Sequence, residues 1–152
     1  MRKLNILSLI FIFIIIAIPT GLYLAHTLSP TYDDALINAV ESGASESELV
    51  TMIENHSETS EEYLKSVMNA SKETDLYKYK IGDISKEESD KLIKSKQISI
   101  NKSLDGLEKI KSIQIAYIKG QITKEKFLST VKTYYLSTPE LQSIGDMTVT
   151  GY

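Results

Sequence analysis

The pattern of apolar and polar residues separates one long apolar segment from a series of shorter periodic ones. Residues 4–25 contain no charged side chain, and Leu9 to Ile18 is an unbroken apolar run. A helix of about 20 such residues spans the hydrocarbon core of a bilayer, which is about 30 Å thick. The pattern therefore predicts a transmembrane signal-anchor helix over residues 4–25, in contact with membrane lipid.

The distribution of basic residues predicts the orientation of this helix. Arg2 and Lys3 precede it, and the next basic residue along the chain is Lys65. The positive-inside rule then makes residues 1–3 a cytoplasmic stub and places residues 26–152 outside a cell membrane that the chain crosses once. The alternative is a cleaved and secreted protein, although the apolar segment ends without the usual small-residue cleavage pattern. In both cases residues 26–152 leave the cytosol.

Beyond the apolar segment, helical spacing and capping residues predict an all-α domain over residues 26–152. Thr31 and Asp34 are spaced as a capping box, and Ser85 and Glu88 have the same spacing. The predicted helices begin at the capping residues Thr31, Ser85, Thr123 and Thr138 and end at Gly43, Gly82, Gly120 and Gly145. Short connections between long helices favour a small antiparallel helical bundle with long hairpins.

The longest periodic stretch covers residues 46–81. Ten positions are spaced 4-3-4-3, which predicts a heptad seam of the coiled-coil type. We favour one helix over this stretch, but Thr59 and Glu62 have capping-box spacing, so two helices that meet near residue 58 are the alternative. The seam either closes within the bundle or pairs with another subunit. Its ten residues are Leu49, Ile53, His56, Ser60, Tyr63, Val67, Ala70, Thr74, Tyr77 and Ile81.

A repeat with an offset of 38 residues relates Tyr79–Glu87 to Tyr117–Glu125 through the pattern G-x-I-[ST]-K-E. It resembles the second half of an EF-hand calcium loop. Calcium needs six to eight oxygen ligands, yet Tyr77, Tyr79 and Ile81 stand at the first three ligand positions of the first copy. We therefore interpret both copies as turns between antiparallel helices, in which glycine ends one helix and serine or threonine begins the next.

The amino-acid composition excludes several kinds of site and reaction. The chain has no cysteine, so disulfides, thiolate metal sites and cysteine nucleophiles are excluded. Imidazole is limited to His26 and His56, and no catalytic, cofactor-binding or metal-binding motif occurs, so we expect neither an enzyme nor a cofactor. Residues 26–64 carry nine acidic residues and no Lys or Arg, whereas residues 65–152 carry 15 Lys and 11 acidic residues. The resulting net charge of −5 argues against a nucleic-acid partner.

Few individual residues indicate a site. Asn55, Asn69 and Asn101 begin N-glycosylation sequons on the exported side. His56 is either a pH-sensitive or metal-assisted contact, or else a polar residue of the seam or of a helix junction. The adjacent acids Asp33 and Asp34 fall in the first turn of a predicted helix, where they interact with its dipole.

The sequence therefore predicts a membrane-anchored, extracytoplasmic interaction or scaffold protein, or a small subunit of a membrane or cell-surface complex. It has no catalytic activity and contacts a protein partner or a second copy through the helical seam. The alternative is an extracytoplasmic ligand- or peptide-binding module of the sensor or inhibitor type.

Overall fold

A computed structural model describes residues 31–145, and these residues form helices with no strand. We number the helices α1 to α5 in chain order: α1 Tyr32–Glu41, α2 Glu46–Lys80, α3 Lys86–Ile118, α4 Lys124–Tyr135 and α5 Pro139–Gly145. The all-α prediction and the helical bundle are confirmed. The predicted anchor, residues 4–25, lies outside the described residues, and none of the helices within 31–145 has the length and apolarity needed to cross a membrane.

The helix starts follow the capping rules. The Thr31 and Asp34 side chains form the predicted capping box, since the Asp34 amide donates to Thr31 Oγ1 and the Thr31 amide donates to Asp34 Oδ2. An equivalent box at Ser45 and Glu48 opens α2. The predicted N-caps Ser85 and Thr123 each accept a backbone hydrogen bond in the first turn of the helix that follows.

The turns after the first three helices share one geometry. Gly43, Gly82 and Gly120 have φ angles of 80°, 81° and 67°. In the turn after α2, the Gly82 amide donates to the Tyr79 carbonyl and the Asp83 amide donates to the Lys78 carbonyl. These paired bonds satisfy two carbonyls at the helix end and require a residue in the left-handed region. The two copies of the repeat are thus confirmed as turns between helices.

Helix α2 is continuous over 35 residues, which corresponds to about 52 Å. Thr59 lies within it, so the alternative of two helices meeting near residue 58 is wrong. Helix α3 returns antiparallel over 33 residues, and together the two form one long hairpin.

The predicted seam is correct only in the first half of α2. The buried residues of this helix are Leu49, Ile53, Ser57, Ser60, Leu64, Met68 and Asp75, spaced 4-4-3-4-4-7. This spacing is closer to an 11-residue repeat than to a heptad, because a straight helix drifts about 20° per heptad. The last four predicted seam positions, Ala70, Thr74, Tyr77 and Ile81, are exposed.

The apolar core is concentrated around the first half of α2 and the second half of α3. Helix α1 packs on α2, while α4 and α5 pack on α3. Gly106 permits a close approach of α5, because a Cβ atom there would lie 2.5 Å from Leu141 Cδ1. Polar contacts hold the same junction, where Ser103 Oγ and Thr138 Oγ1 are 2.8 Å apart and Ser99 Oγ donates to Glu140.

The remaining part of the hairpin, residues 69–98, we call the arm. Within it only Asp75 and Ser89 are buried. Lys96 Nζ donates to Asp75 Oδ2 at 2.5 Å, and Ser89 Oγ donates to the Asp75 carbonyl at 3.2 Å. The two helices of the arm therefore meet through a small polar interface, in contrast to the apolar core at the other end.

Candidate functional site

A buried carboxylate lies where α1, α3 and α4 meet. Asp33 is in the first turn of α1 and is 8% exposed. Gln114 of α3, itself 1% exposed, donates from Nε2 to Asp33 Oδ1 at 3.3 Å. The Tyr135 hydroxyl of α4 donates to the same carboxylate. Three helices that are distant in sequence thus contribute to one polar cluster.

The environment of this cluster shifts the pKa values of Asp33 and Tyr135. Burial raises the pKa of Asp33 from 3.8 to about 6, because a charged carboxylate loses its hydration. Gln114 and Tyr135 oppose this shift by donating hydrogen bonds to the ionised form, whereas the neighbouring Asp34 adds to it. Burial and the nearby Asp33 carboxylate raise the pKa of Tyr135, so its hydroxyl stays protonated. The cluster therefore holds a carboxyl group that changes charge just below neutral pH.

An open groove of about 390 Å³ lies beside Asp33 and Tyr135. Its walls are mainly apolar, with polar groups from Asp33, Tyr135 and Lys132. This volume falls within the range of small-ligand sites, and mixed lining of this kind is typical of them. The lining residues are Thr31, Asp33, Leu128, Val131, Lys132, Tyr135, Leu136, Gln142 and Gly145.

His56 lies on α2 against the first residue of α1. Its ring stacks on Tyr32 with a centroid separation of 3.7 Å and an interplanar angle of 5°. Burial lowers the pKa of His56 from 6.5 to about 4, so the imidazole is neutral at physiological pH. Its Nε2 atom is buried and has no hydrogen-bond partner among residues 31–145. His56 is therefore a partly buried residue of the seam that contacts α1.

The arm has a different surface, with large apolar side chains exposed on its outside. Tyr77 and Ile98 are each 62% exposed, and Ile81 is 51% exposed. Leu76 and Tyr79 of the arm are also exposed, so the arm holds five of the seven large exposed apolar residues found within 31–145. Tyr77 and Ile81 are four residues apart and therefore lie on one side of the helix, and contiguous exposed apolar surface is characteristic of interaction sites.

The three sequon asparagines lie on helix surfaces. Asn55 and Asn69 are exposed on α2, and Asn101 is exposed on α3, where its Oδ1 accepts from Gln97 Nε2 at 2.9 Å. Glycosylation of these three residues stays a prediction. Within the described range, no group of three or more His, Asp or Glu side chains is arranged to hold a metal ion.

The sequence did not identify the Asp33 cluster. The sequence pattern predicts that Asp33 is a first-turn acid that interacts with the helix dipole, and it does not indicate Gln114 as its partner. A signal was present, because Leu107, Ile110, Gln114 and Tyr117 are spaced 3-4-3 on the inward side of α3. A polar residue at such a position needs a buried partner.

Comparison of the chain with protein-family models, with curated proteins and with solved structures finds no match.

Proposed function

We propose that this protein is an extracytoplasmic helical interaction module, held at the membrane by residues 4–25, that acts by binding protein through its arm and has no catalytic activity. It would serve as a scaffold or as a small subunit of a membrane or cell-surface complex. The observation that carries the proposal is the concentration of exposed apolar side chains on the arm, the part of the hairpin with the smallest apolar core.

Three features support this proposal. Tyr77 and Ile81 expose apolar surface whose removal from water would favour association, at about 25 cal/mol per Å². The Asp75–Lys96 contact ties α2 to α3 within the arm, so the exposed side chains are presented on two connected helices. The apolar run over residues 4–25 provides attachment to a membrane.

The interaction can be tested on the full chain in a mild detergent by light scattering coupled to size exclusion. We expect an assembly whose protein mass exceeds the 17.0 kDa of one chain. Replacing Tyr77 and Ile81 by Ser should abolish it, whereas Leu136→Ser should not, although Leu136 is comparably exposed at 59%. A monomer at all concentrations, in the presence and absence of extract from the source membrane, would rule out the interaction function.

Attachment and orientation need a separate experiment. Protease added to intact cells should digest residues 26–152, and alkaline extraction should leave the undigested protein in the membrane pellet. Protection of the helical domain from the protease would contradict an extracytoplasmic location.

The groove beside Asp33 favours a second candidate function, the binding of a small amphipathic ligand. A protonated amine would pair with the Asp33 carboxylate, while an alkyl chain would lie along Leu128, Val131 and Leu136. Hexylamine should then raise the melting temperature of the full chain more than hexanoate does, and Asp33→Asn should remove the difference. Equal effects of the two compounds would argue against this function.

A further inference from the structure

One face of α2 is uncovered in the second half of the helix, where no other described helix packs on it. From Ala70 to Ile81, the residue that caps the end of α2, residues spaced 4-3-4 form an exposed row that we call the outer stripe: Ala70, Thr74, Tyr77 and Ile81. Ala70 and Thr74 are small, and Tyr77 and Ile81 are large and more than half exposed. Residues at this spacing lie on one side of a helix, so the outer stripe is a continuous surface.

The outer stripe continues a face that another helix already covers. The preceding positions of the same heptad pattern are His56, Ser60, Tyr63 and Val67. The His56 ring stacks on Tyr32 of α1, and Tyr63 and Val67 are partly buried against the core. Since α1 has only 10 residues, it covers the first part of this face and leaves the rest exposed. Because α1 packs on the first part of this face, the exposed part can accommodate a helix in the same way.

Charges beside the outer stripe are complementary to the same surface of a second copy. Glu73 precedes Thr74 on one flank, Lys78 follows Tyr77 on the other, and Lys80 precedes Ile81. These are the flanking positions that pair across a coiled coil. In a parallel two-fold pair, Glu73 of each copy lies opposite Lys78 of the other, and in an antiparallel pair it lies opposite Lys80. In each arrangement the two-fold symmetry produces two pairs of opposite charges across the interface.

A lipid surface fits the arm less well. The end of the arm exposes three acids, Asp83, Glu87 and Glu88, and three lysines, Lys78, Lys80 and Lys86. It therefore lacks the excess of basic residues that attracts an anionic membrane.

We propose that the outer stripe of α2 is a self-association surface, on which Ala70, Thr74, Tyr77 and Ile81 pack against the same residues of a second copy of this chain. This inference rests on the proposed function in that it names the partner of the arm. A two-fold pair makes the interface isologous, so each contact occurs twice and the assembly closes as a dimer.

Cysteine cross-linking can test the contact directly, because the chain has no cysteine of its own. Tyr77→Cys is introduced into the full chain in its membrane and treated with a short bismaleimide. The matched control is Ile98→Cys, since Ile98 is equally exposed but lies on α3. We expect a covalent dimer from Tyr77→Cys at about ten times the yield from Ile98→Cys, as a specific contact exceeds random collision.

A charge exchange tests the same contact without a cross-linker and reports the orientation. Glu73→Lys should weaken self-association about tenfold, because two attractive pairs become two repulsive ones. Adding Lys78→Glu should restore the dimer if the helices are parallel, and adding Lys80→Glu should restore it if they are antiparallel. Both substituted lysines are exposed, so folding should be preserved, and circular dichroism checks this.

The remaining outcomes overturn the inference. Equal yields from Tyr77→Cys and Ile98→Cys would indicate collision alone. A Tyr77→Cys thiol that forms no dimer and reacts with maleimide only after detergent is added would assign the outer stripe to lipid. A stoichiometric complex with a different protein, lost in the Tyr77 and Ile81 double variant but without any self-cross-link, would preserve the proposed function and refute the second copy as partner.

Discussion

Lowering the pH from about 7.5 to about 4.5 should titrate two buried groups whose effects on stability have opposite signs. Asp33 has a pKa of about 6 in the folded protein and 3.8 as its ordinary value. It therefore binds its proton more tightly when folded, and its contribution to the free energy of unfolding increases as the pH falls through 6. His56 has a folded pKa of about 4 and an ordinary value of 6.5. It binds its proton more tightly when unfolded, and its contribution is lost as the pH falls below 6.5.

The magnitudes follow from linkage, since one pKa unit corresponds to about 1.4 kcal/mol. Over this pH interval the Asp33 contribution rises by about 2 kcal/mol, and the His56 contribution falls by about 2 to 3 kcal/mol. Both side chains are mostly buried, so solvent screening reduces these values little. The Asp33 and His56 contributions nearly cancel in the wild-type protein. Together they should therefore change its free energy of unfolding by less than about 1 kcal/mol over this pH interval.

A single substitution removes the contribution of either Asp33 or His56 and leaves the other in place. Asp33→Asn keeps the shape of the side chain, so only the His56 term remains and acidification should destabilise the variant by about 2 to 3 kcal/mol. His56→Phe keeps a ring against Tyr32, so only the Asp33 term remains and acidification should stabilise the variant by about 2 kcal/mol. Comparing each variant with the wild type at both pH values cancels the contributions of the exposed carboxylates.

The assay is urea unfolding of the full chain in a non-ionic detergent, followed by circular dichroism at the two pH values. The double variant Asp33→Asn and His56→Phe is the control and should show the same small pH dependence as the wild type. The reasoning would be refuted if both single variants also retained the wild-type pH dependence, because neither group could then have a shifted pKa.

Three further predictions concern packing, turns and the arm. Gly106→Ala should destabilise the protein by about 1 to 2 kcal/mol in urea unfolding, because the added Cβ would clash with buried Leu141. This loss is expected even though alanine favours helix over glycine, and Leu141→Ala should remove it. Gly82→Ala should cost about 1 kcal/mol in the same assay through its φ of 81° alone, since no atom lies within 4 Å of an added Cβ. Lys96→Met should cost about 3 kcal/mol because it leaves buried Asp75 unpaired, while combining it with Asp75→Leu should recover most of the loss.

The helix boundaries could be predicted because they depend on local chemistry. Thr31, Ser85 and Thr123 cap helices through bonds to residues three positions away. Gly82 and Gly120 end helices because glycine alone adopts their φ values without strain. Each of these signals lies within a few residues of the structure it determines, so it is visible in the sequence.

The Asp33 cluster could not be predicted in this way. Its partner Gln114 is 81 residues away, and Tyr135 is on a third helix. The acid at the start of α1 is equally consistent with an exposed residue interacting with the helix dipole. Only the packing of α1, α3 and α4 distinguishes the two roles, and that packing depends on the bundle as a whole.

The error in the seam prediction is informative for the same reason. A heptad pattern specifies residues on one side of α2, but it does not specify how far along the helix a neighbour covers that side. Helix α1 covers it at His56, and beyond Val67 the buried face rotates toward α3, to Met68 and Asp75. The sequence keeps apolar residues on the uncovered side at Tyr77 and Ile81, where the fold of one chain gives them no partner within the described residues. Packing among residues 31–145 therefore does not account for this half of the heptad pattern, whereas pairing between two α2 helices would.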